Sequence, residues 1–393
     1  MNGPVTIIGA GLAGLSCARE LKAHGIESVI FEASDDVGGR VRTDTYQGFL
    51  LDRGFQVLLT AYPECRRLLN YEALQLQPFY PGALVRFGGK FHRLADPWRH
   101  PVDAVSSLTS PIGTFTDKLR VASLRTSVSS VAVYELLTRP ETTTEAKLAS
   151  FGFNSKMIER FFRPFFGGIF LEQKLTTSSR VFEFIFRLFS EGNIALPTRG
   201  MQAIPLQLGH ELDVRLRTKV SELPDNGPTV IAVEEPEAAR LLGEPPPIDA
   251  RSVDCLYYAA EAAPIAEPIL MLNGDGTGPI NNCTVMSAVA PAYAPPGAAL
   301  ISASVLQKAP EAAVRAQLTE WFGIAVARWQ HLRTYSISYA QPVQNTYLPR
   351  VARIRPGLYR CGDYTETASI DGALASGRRA AQALMEDLPP TQR

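Results

Sequence analysis

The chain has 393 residues, of which 46% are hydrophobic and 20% charged, so it is long enough for two domains with ordinary globular cores. Basic and acidic residues number 39 each, and this balance gives no basic surface of the kind that binds nucleic acid. The five cysteines are odd in number and contain no CxxC pair, which favours reduced thiols and a cytoplasmic protein.

The first elements are strongly patterned. VTIIGAGLAGLSCARELKAHG predicts a buried strand, a glycine turn and an amphipathic helix, and ESVIFEAS predicts the next strand. The first strand begins by Val5, so we expect no leader segment before it. No uncharged apolar run reaches the roughly 18 residues that a membrane span needs.

The glycine turn has the spacing G-x-G-x-x-G, formed by Gly9, Gly11 and Gly14. The first glycine permits a tight turn, the second lets backbone approach a pyrophosphate, and the third allows close helix–strand packing. Glu32 ends the next strand, where a carboxylate can accept hydrogen bonds from both hydroxyls of a ribose. The expected dinucleotide contacts also include the neighbours Leu12, Ala13 and Ala33.

A second glycine turn follows in DDVGGRVRTD, where Gly38 and Gly39 let backbone come close to a ligand and Arg40 supplies a cation. This extension resembles the large flavoprotein family that includes amine oxidases, protoporphyrinogen oxidases and phytoene-type desaturases. In that family a GGR turn lies along FAD. GFLLDRGFQVL resembles the family's next segment, which implies that Gly54 and Phe55 are neighbours of the flavin ring.

The middle of the chain changes character. ALVRFGGKFHRL predicts a hairpin, and helical stretches follow it. Residues 151–189 contain 11 of the 19 phenylalanines. Most of these rings suit a helical core, but so many around PFFGG would also suit a tunnel for a long apolar substrate or a surface that contacts a membrane peripherally. RFFRPFFGGIFLEQKLTTSS and TRGMQAIPLQL resemble segments of protoporphyrinogen oxidases and carotenoid desaturases and isomerases.

The next segment departs from the family pattern. In VRLRTKVSEL the resemblance implies that the backbone of Val220 meets the adenine of FAD. The family usually places another strand pair before the following strand, whereas here PTVIAVEE comes almost directly. This departure indicates either a shortened hairpin or an altered adenine contact. Residues 246–339 then contain alternating apolar runs, for example AALISASVL, which predict an antiparallel sheet.

Residues 361–381, CGDYTETASIDGALASGRRAA, predict a turn followed by a helix rich in small residues. The resemblance of this segment to the flavin half of the family's FAD site implies roles for Gly362 and Asp363 at the ribityl or pyrophosphate region. It also places backbone N–H groups of Ile370, Asp371 and Gly372 at the pyrimidine edge.

The substrate is harder to predict from the sequence. Many flavin amine oxidases carry a lysine in the substrate-domain sheet, whereas residues 220–307 contain none. Phe55, Tyr335, Tyr339 and Gln344 are the predicted pocket residues, and no catalytic acid, base or nucleophile can be named. The five histidines (His24, His92, His100, His210 and His331) show no metal-ligand spacing, so we expect no metal site.

These observations predict an α/β protein with a doubly wound, Rossmann-like FAD-binding domain (1–72, 199–245 and 340–393) and a mixed-sheet plus helical substrate domain (73–198 and 246–339). The expected activity is hydride transfer from an apolar isoprenoid or conjugated substrate to non-covalent FAD, with an acceptor such as oxygen or a quinone. Amine or protoporphyrinogen oxidation is an alternative. A non-catalytic prenyl-binding carrier is another, since GDP-dissociation inhibitors share this fold, but the combination of Glu32, Arg40 and Asp363 argues against a carrier.

Overall fold

The computed structural model describes residues 3–100, 102–103, 110–224 and 227–388. The strands are β1 Val5–Ile8, β2 Ser28–Phe31, β3 Thr43–Tyr46, β4 Phe49–Asp52, β5 Leu58–Leu59, β6 Leu76–Pro78, β7 Gly82–Phe87, β8 Lys90–Ala95, β9 Ile194–Pro197, β10 Asp213–Arg215, β11 Thr229–Ile231, β12 Ala250–Ala260, β13 Leu270–Asn273, β14 Ile280–Val285, β15 Ala299–Val305, β16 Gln330–Pro342, β17 Arg353–Arg355 and β18 Leu358–Arg360.

The helical elements fall into three types. The α-helices are Leu12–Ala23, Pro63–Leu68, Tyr71–Leu74, Phe115–Ser129, Thr144–Ser150, Ser155–Met157, Arg163–Phe170, Ser179–Glu191, Ala203–Gly209, Glu235–Leu242, Met286–Val289, Glu311–Phe322 and Ile370–Asp387. The 3-10 turns are Val133–Thr138, Pro291–Tyr293, Ile324–Arg328 and Asp363–Thr365. One π-helical turn, Ile158–Phe162, joins two of the α-helices.

The first large sheet has six strands in the order β10-β2-β1-β11-β18-β17. Five of them are parallel, and β17 closes one edge antiparallel to β18. The apolar run of β1 is almost wholly buried, as expected for a parallel strand covered on both faces. Because β2 and β11 flank β1 on opposite sides, the strand order reverses beside β1, and open parallel sheets bind ligands at the carboxyl edge of such a point. The glycine turn lies there.

Two helices pack tightly on this sheet. The first helix, Leu12–Ala23, follows β1, and the last helix, Ile370–Asp387, follows β18. The Ser16 hydroxyl donates to the carbonyl of Leu374 at 2.7 Å. A Cβ atom on Gly377 would lie 2.1 Å from the carbonyl oxygen of Ala13, so the small residues of ASGRRAA let the helix backbones approach. The two glycine-rich turns, distant in sequence, therefore meet at one edge of the sheet.

The second large sheet is mixed, with seven strands in the order β16-β12-β15-β14-β13-β7-β8. All its neighbouring strands are antiparallel except the parallel pair β7 and β13. The predicted hairpin ALVRFGGKFHRL forms β7 and β8, and AALISASVL forms the wholly buried β15. A helical lobe between residues 110 and 191 packs beside this sheet, and its helix Arg163–Phe170 contacts β14.

The sheets alternate along the chain. The first draws on residues 5–31, 213–231 and 353–360, and the second on residues 82–95 and 250–342. On this alternation we propose the division into a cofactor domain (1–72, 199–245 and 340–393) and a substrate domain (73–198 and 246–339). Strand β16 runs to Pro342, slightly past that boundary. Among the described helices, none combines the length and apolarity required to cross a membrane.

Candidate active site

A cavity of about 600 Å³ is lined by residues of both large sheets. Gly9 and Asp363 lie on the side of the first sheet, whereas Val253, Leu272 and Ile337 lie on the side of the second. Of the predicted site residues, the cavity wall contains Gly9, Gly11, Leu12, Ala13, Glu32, Gly38, Gly39, Arg40, Gly54, Phe55, Gln344, Gly362, Asp363 and Ile370. The structure thus brings together motifs that are more than 300 residues apart in the chain.

Other predicted residues lie outside that wall. They are Gly14, Ala33, Val220, Tyr335, Tyr339, Asp371 and Gly372. Gly14 and Gly372 lie behind it, where a Cβ atom would sit 2.1 Å from the Gly9 oxygen and 1.9 Å from the Thr367 oxygen, respectively. The hydroxyl of Tyr335 donates to Asp44 at 2.7 Å, and that of Tyr339 donates to Glu235 at 3.0 Å. These two tyrosines therefore brace the cavity from outside.

The first glycine turn forms an open cradle. Gly9 has a φ of +105°, and a Cβ atom there would lie 2.7 Å from the Ala232 oxygen, so only glycine fits. At Gly11 a Cβ atom would meet nothing within 4 Å, because the space beside it belongs to the cavity. In the described part of the chain, no side chain caps the N-terminus of the helix that begins at Leu12. Its N–H groups and dipole therefore suit an anion such as a pyrophosphate.

Glu32 is held in place by the backbone of the turn. One carboxylate oxygen accepts from the amide of Ala10 at 2.7 Å, and the other accepts from the amide and hydroxyl of Ser34 at 2.8 Å and 2.7 Å. A carboxylate has about four lone-pair positions, so Glu32 retains capacity for a ligand hydroxyl. The amide of Thr218 donates to the Glu32 carbonyl at 2.8 Å, which brings the segment before Val220 beside this residue.

Arg40 and Asp363 connect the turn at Gly38 and Gly39 to the C-terminal turn at Gly362. Arg40 donates to the Asp363 carboxylate at 2.6 Å and to the carbonyl of Ala340 at 2.8 Å, and its guanidinium lies 5.6 Å from the ring centre of Tyr339. Burial acts to lower the pKa of Arg40, because it disfavours the charged guanidinium. The adjacent Asp363 carboxylate acts in the opposite direction, and the pKa of Arg40 is raised overall. The ion pair therefore ties the cavity wall together across the sheet.

The C-terminal turn, which begins at Gly362, leads into a helix whose N-terminus is capped. The Ser369 side chain accepts from the amide of Gly372 at 3.0 Å, and Ile370 begins the helix at the cavity wall. Asp371 points away from the wall, where its carboxylate accepts from the amide of Glu64 at 2.8 Å. Burial raises the pKa of Asp371 to about 7. Asp371 thus anchors the helix, while backbone groups face the cavity.

The opposite wall is apolar. It includes Phe55, Phe79, Phe165, Phe170 and Phe189 together with aliphatic side chains such as Leu270 and Ile337. A second cavity of about 240 Å³, the annex, adjoins this wall and shares Phe79, Phe165 and Phe189 with it. Seven of the 11 phenylalanines in 151–189 line one or both cavities: Phe161, Phe162, Phe165, Phe166, Phe170, Phe186 and Phe189.

Sequence patterns did not single out several residues of the wall. Arg53, Tyr62 and Arg251 line the cavity, as does Gln56, whose amide nitrogen donates to the Arg40 carbonyl at 2.8 Å. The side-chain oxygen of Gln56 is buried and has no hydrogen-bond donor among the described residues, so it suits an N–H group of a ligand. Arg53 and Gln56 lie in GFLLDRGFQVL, whose family resemblance indicated a segment beside the ligand without indicating these two residues.

Comparison with known proteins supports a specific family. The sequence matches the family described as flavin containing amine oxidoreductase over residues 12–239 and 235–385. It is 35% identical over 77 residues to protoporphyrinogen oxidase 2 of Arabidopsis thaliana, a match that covers 20% of this chain and 15% of that protein. It is 44% identical over 59 residues to the lysine-specific histone demethylase 1B homolog of Caenorhabditis elegans, covering 15% and 7%. These matches span a small part of each relative.

Solved structures resemble the whole chain. A putative protoporphyrinogen oxidase from Exiguobacterium sp. 255-15 superposes with a TM-score of 0.73 at 16% identity, covering 99% of this chain and 100% of that one. Putrescine oxidase bound to putrescine gives a TM-score of 0.68 at 15% identity, covering 98% and 99%. At such identities the likeness shows the fold alone. The comparisons confirm the predicted family resemblance and the predicted fold class.

Proposed function

Because the chain belongs to the flavin containing amine oxidoreductase family, we propose that it binds FAD and oxidises an apolar, elongated substrate of isoprenoid or conjugated type, as desaturases and oxidases do. The observation that carries this proposal is one cavity with glycine turns and charges on one side and phenylalanines on the other. FAD supplies the hydride acceptor when bound. Oxygen or a quinone is the proposed terminal electron acceptor.

The FAD contacts follow from the cavity wall. Gly9, Gly11 and the first helix N-terminus suit the pyrophosphate, and Glu32 suits the ribose. Asp363 and the helix that begins at Ile370 suit the flavin half. We also propose that the segment ending at Val220, next to Ala33 and Glu32, faces the adenine. Among the described residues, no cysteine or histidine lines the cavity, which supports non-covalent binding.

The residues on the substrate side of the cavity favour an apolar substrate. Among the described residues, the substrate side of the wall contains neither a carboxylate nor a lysine. This side is contributed by residues 53–82, 164–194 and 251–344. A cationic amine would need an acidic group or an aromatic cage to offset its desolvation. Tyr335 and Tyr339 lie outside the wall, and no described carboxylate accompanies the tyrosines that do line this side, Tyr62 and Tyr80. The phenylalanines and the annex instead supply length and apolar surface.

The cofactor proposal is tested by releasing and rebinding the ligand. The purified protein is expected to be yellow, and mild denaturation should release free FAD into the supernatant. In titrations of apo-protein, Glu32→Ala should weaken FAD binding by about 1.5–3 kcal/mol, because a charged acceptor is lost. Asp371→Asn is the matched control, since its side-chain oxygen can still accept from Glu64 and no side-chain contact with FAD is expected. A colourless protein that takes up no FAD would refute the proposal and favour a carrier.

The substrate proposal is tested by flavin reduction. The FAD-loaded protein is mixed without oxygen with polyenes and a porphyrinogen, and separately with primary amines and polyamines. We expect bleaching of the oxidised flavin band by a member of the apolar group. Protoporphyrinogen is included because a protoporphyrinogen oxidase is among the similar sequences. Rapid bleaching by an amine, with none by any apolar compound, would contradict the proposed substrate class.

The annex suggests where an apolar substrate enters. Trp98 lines it and is 49% exposed, while Phe115 and Leu119, one turn apart on a nearby helix, are 58% and 57% exposed. We propose a cytoplasmic protein that contacts a membrane peripherally through these side chains. Co-sedimentation with phosphatidylcholine vesicles tests this contact. Binding should fall in Trp98→Ala and Leu119→Ser, and a protein that never sediments with vesicles would contradict it.

A further inference from the structure

An arginine lies on the substrate side of the cavity wall. Arg251 is the second residue of β12 and pairs in the sheet with Gln341 of β16, which also lines the cavity. The side chain of Arg251 is partly exposed. Its guanidinium donates to the side-chain oxygen of Asn345 at 3.0 Å and to the hydroxyl of Thr176 at 3.4 Å. Because Asn345 is exposed, this group lies where the cavity meets solvent.

The charge on Arg251 is not matched by a carboxylate. Of the residues that the structure describes, three arginines line the cavity. Arg40 pairs with Asp363 at 2.6 Å, and Arg53 pairs with Asp44 at 2.9 Å. Within the described part of the chain, Arg251 forms no ion pair, and both of its hydrogen-bond partners are neutral.

The nearest connected carboxylate is occupied elsewhere. Among the described residues, Glu172 is connected to Arg251 through the Thr176 hydroxyl, which lies 3.2 Å from a Glu172 oxygen and 3.1 Å from the Asn345 oxygen and can donate to one of them. Glu172 also accepts from the amide of Lys174 at 3.0 Å and from the amide of Thr177 at 2.9 Å. Glu172 therefore serves to hold its own loop. A guanidinium has five N–H donors in a planar fork, so Arg251 retains donors for a further acceptor.

The surroundings of Arg251 are otherwise apolar or neutral. Val253, two residues along the same strand, faces the same cavity, and the Gln341 side chain is fixed by donating to the carbonyl of Ile169 at 3.0 Å. An unpaired cation beside an apolar chamber attracts an anion whose remaining structure is apolar. The planar fork of a guanidinium matches the two oxygens of a carboxylate.

We infer that Arg251 binds a carboxylate of the substrate, so that the substrate is an amphipathic acid with its apolar body inside the cavity and its carboxylate at the mouth. This inference rests on the proposed function, because it assigns the orientation of the same apolar substrate. It makes Arg251 a specificity-determining residue, with no part in the hydride transfer itself.

The test compares ligands that share an apolar body and differ in charge. Retinoic acid is set against retinol, and protoporphyrin IX against its dimethyl ester, with binding to the FAD-loaded protein followed by tryptophan quenching. We expect at least one of the two acids to bind on the order of tenfold more tightly than its neutral partner. Arg251→Gln should remove that preference without changing affinity for the neutral ligand, and Arg251→Lys should keep part of it.

The control is Arg328→Gln, which removes an exposed arginine that does not line the cavity. It should leave both affinities unchanged, and flavin absorbance verifies equal FAD content in all variants. Equal binding of acid and neutral ligand, or an equal loss of both in Arg251→Gln, would overturn the inference and leave the apolar site standing. If none of the four compounds binds, the apolar cavity proposal fails, and this inference fails with it.

Discussion

The two walls of the cavity are built on opposite principles. On the cofactor side, glycines and small residues bring backbone close to the ligand, and a Cβ atom at Gly14 or Gly377 would collide with another backbone at 2.1 Å. On the substrate side, the surface is made by large side chains such as Phe165 and Phe189, whose ring centres are 5.1 Å apart. The cofactor side therefore requires residues without a side chain, whereas the substrate side is formed by the shapes of large side chains.

This difference predicts unequal tolerance to substitution. Moving the backbone of the cofactor side costs much free energy, because the first sheet and two packed helices hold it in place. Side chains at a cavity can be exchanged for others of similar volume with a modest loss of stability. The cofactor wall should therefore fail abruptly when altered, whereas the substrate wall should change its ligand preference gradually.

The largest effect is expected from Gly14→Ala. The added methyl group would lie 2.1 Å from the Gly9 oxygen and 3.1 Å from the Ala232 side chain, so the helix must move away from the turn. We expect a loss of about 3 kcal/mol or more in the free energy of unfolding, together with loss of bound FAD. Chemical denaturation of apo-protein and FAD content measure the two effects.

Gly11→Ala is the matched control. Its φ of −70° is accessible to alanine, and its Cβ atom would meet no protein atom within 4 Å. The apo-protein should remain as stable as the wild type, while FAD binding weakens because the methyl group enters the cavity. If Gly11→Ala and Gly14→Ala lose equal stability, the distinction between a packing glycine and a ligand-facing glycine is wrong.

A smaller effect is expected at Asp52, whose side chain contacts residues of both proposed domains. This buried carboxylate accepts from Thr43 at 2.5 Å, from the Met201 amide at 3.0 Å and from the Tyr293 hydroxyl at 2.8 Å. Burial raises the pKa of Asp52 to about 6, although these hydrogen bonds oppose the shift. Between pH of about 4 and 6, the folded state holds a proton that the unfolded state has released. The stability contributed by this proton is complete below that window and is lost as the pH rises through it.

Asp52→Asn should remove this pH dependence. Relative to the wild type, the variant is expected to gain about 2 kcal/mol between pH 4 and pH 7, because the amide carries no charge to desolvate. Its oxygen can still accept from Thr43 and Met201, so the contacts on that side remain. Urea unfolding of both proteins at several pH values gives the difference directly. Parallel pH profiles for the two proteins would show that Asp52 does not titrate in this range.

The smallest effect is expected on the substrate wall, from Phe165→Leu. Phe165 lines both the cavity and the annex and stacks on Phe161 at 5.4 Å. The substitution should cost about 1 kcal/mol of stability and leave FAD content unchanged, while altering the relative rates of flavin bleaching by long and bulky apolar compounds.

The control for Phe165→Leu is Phe184→Leu. Phe184 is wholly buried and lines neither cavity, so it should lose at least as much stability without changing the order of substrates. An unchanged order in Phe165→Leu, or the same reordering in both variants, would show that this wall does not select the substrate.

Sequence reasoning worked best where the structure needs particular residue types. Gly9 and Gly38 were predicted to lie at the ligand because each belongs to a glycine turn, and both line the cavity. The structure gives both a positive φ and close contacts that exclude a side chain. Sequence reasoning worked less well for residues chosen because their segment, TYSISYAQPVQ, precedes the strand that leads into the C-terminal turn. Tyr335 and Tyr339 were placed in the pocket, but on β16 the bonds to Asp44 and Glu235 hold them outside it.

Taken alone, the sequence determined the family, the two glycine turns and the order of the main strands and helices, since these follow from local patterns and from residues that backbone geometry requires. Only the tertiary structure decided that Arg40 pairs with Asp363 and that Glu32 is held by the amides of Ala10 and Ser34. It also decided that Arg251 has neutral partners and no carboxylate partner among the described residues. Pairing, burial and the shape of a cavity depend on residues far apart in the chain. A local pattern cannot specify them, because they are set by how the two sheets and the helical lobe pack.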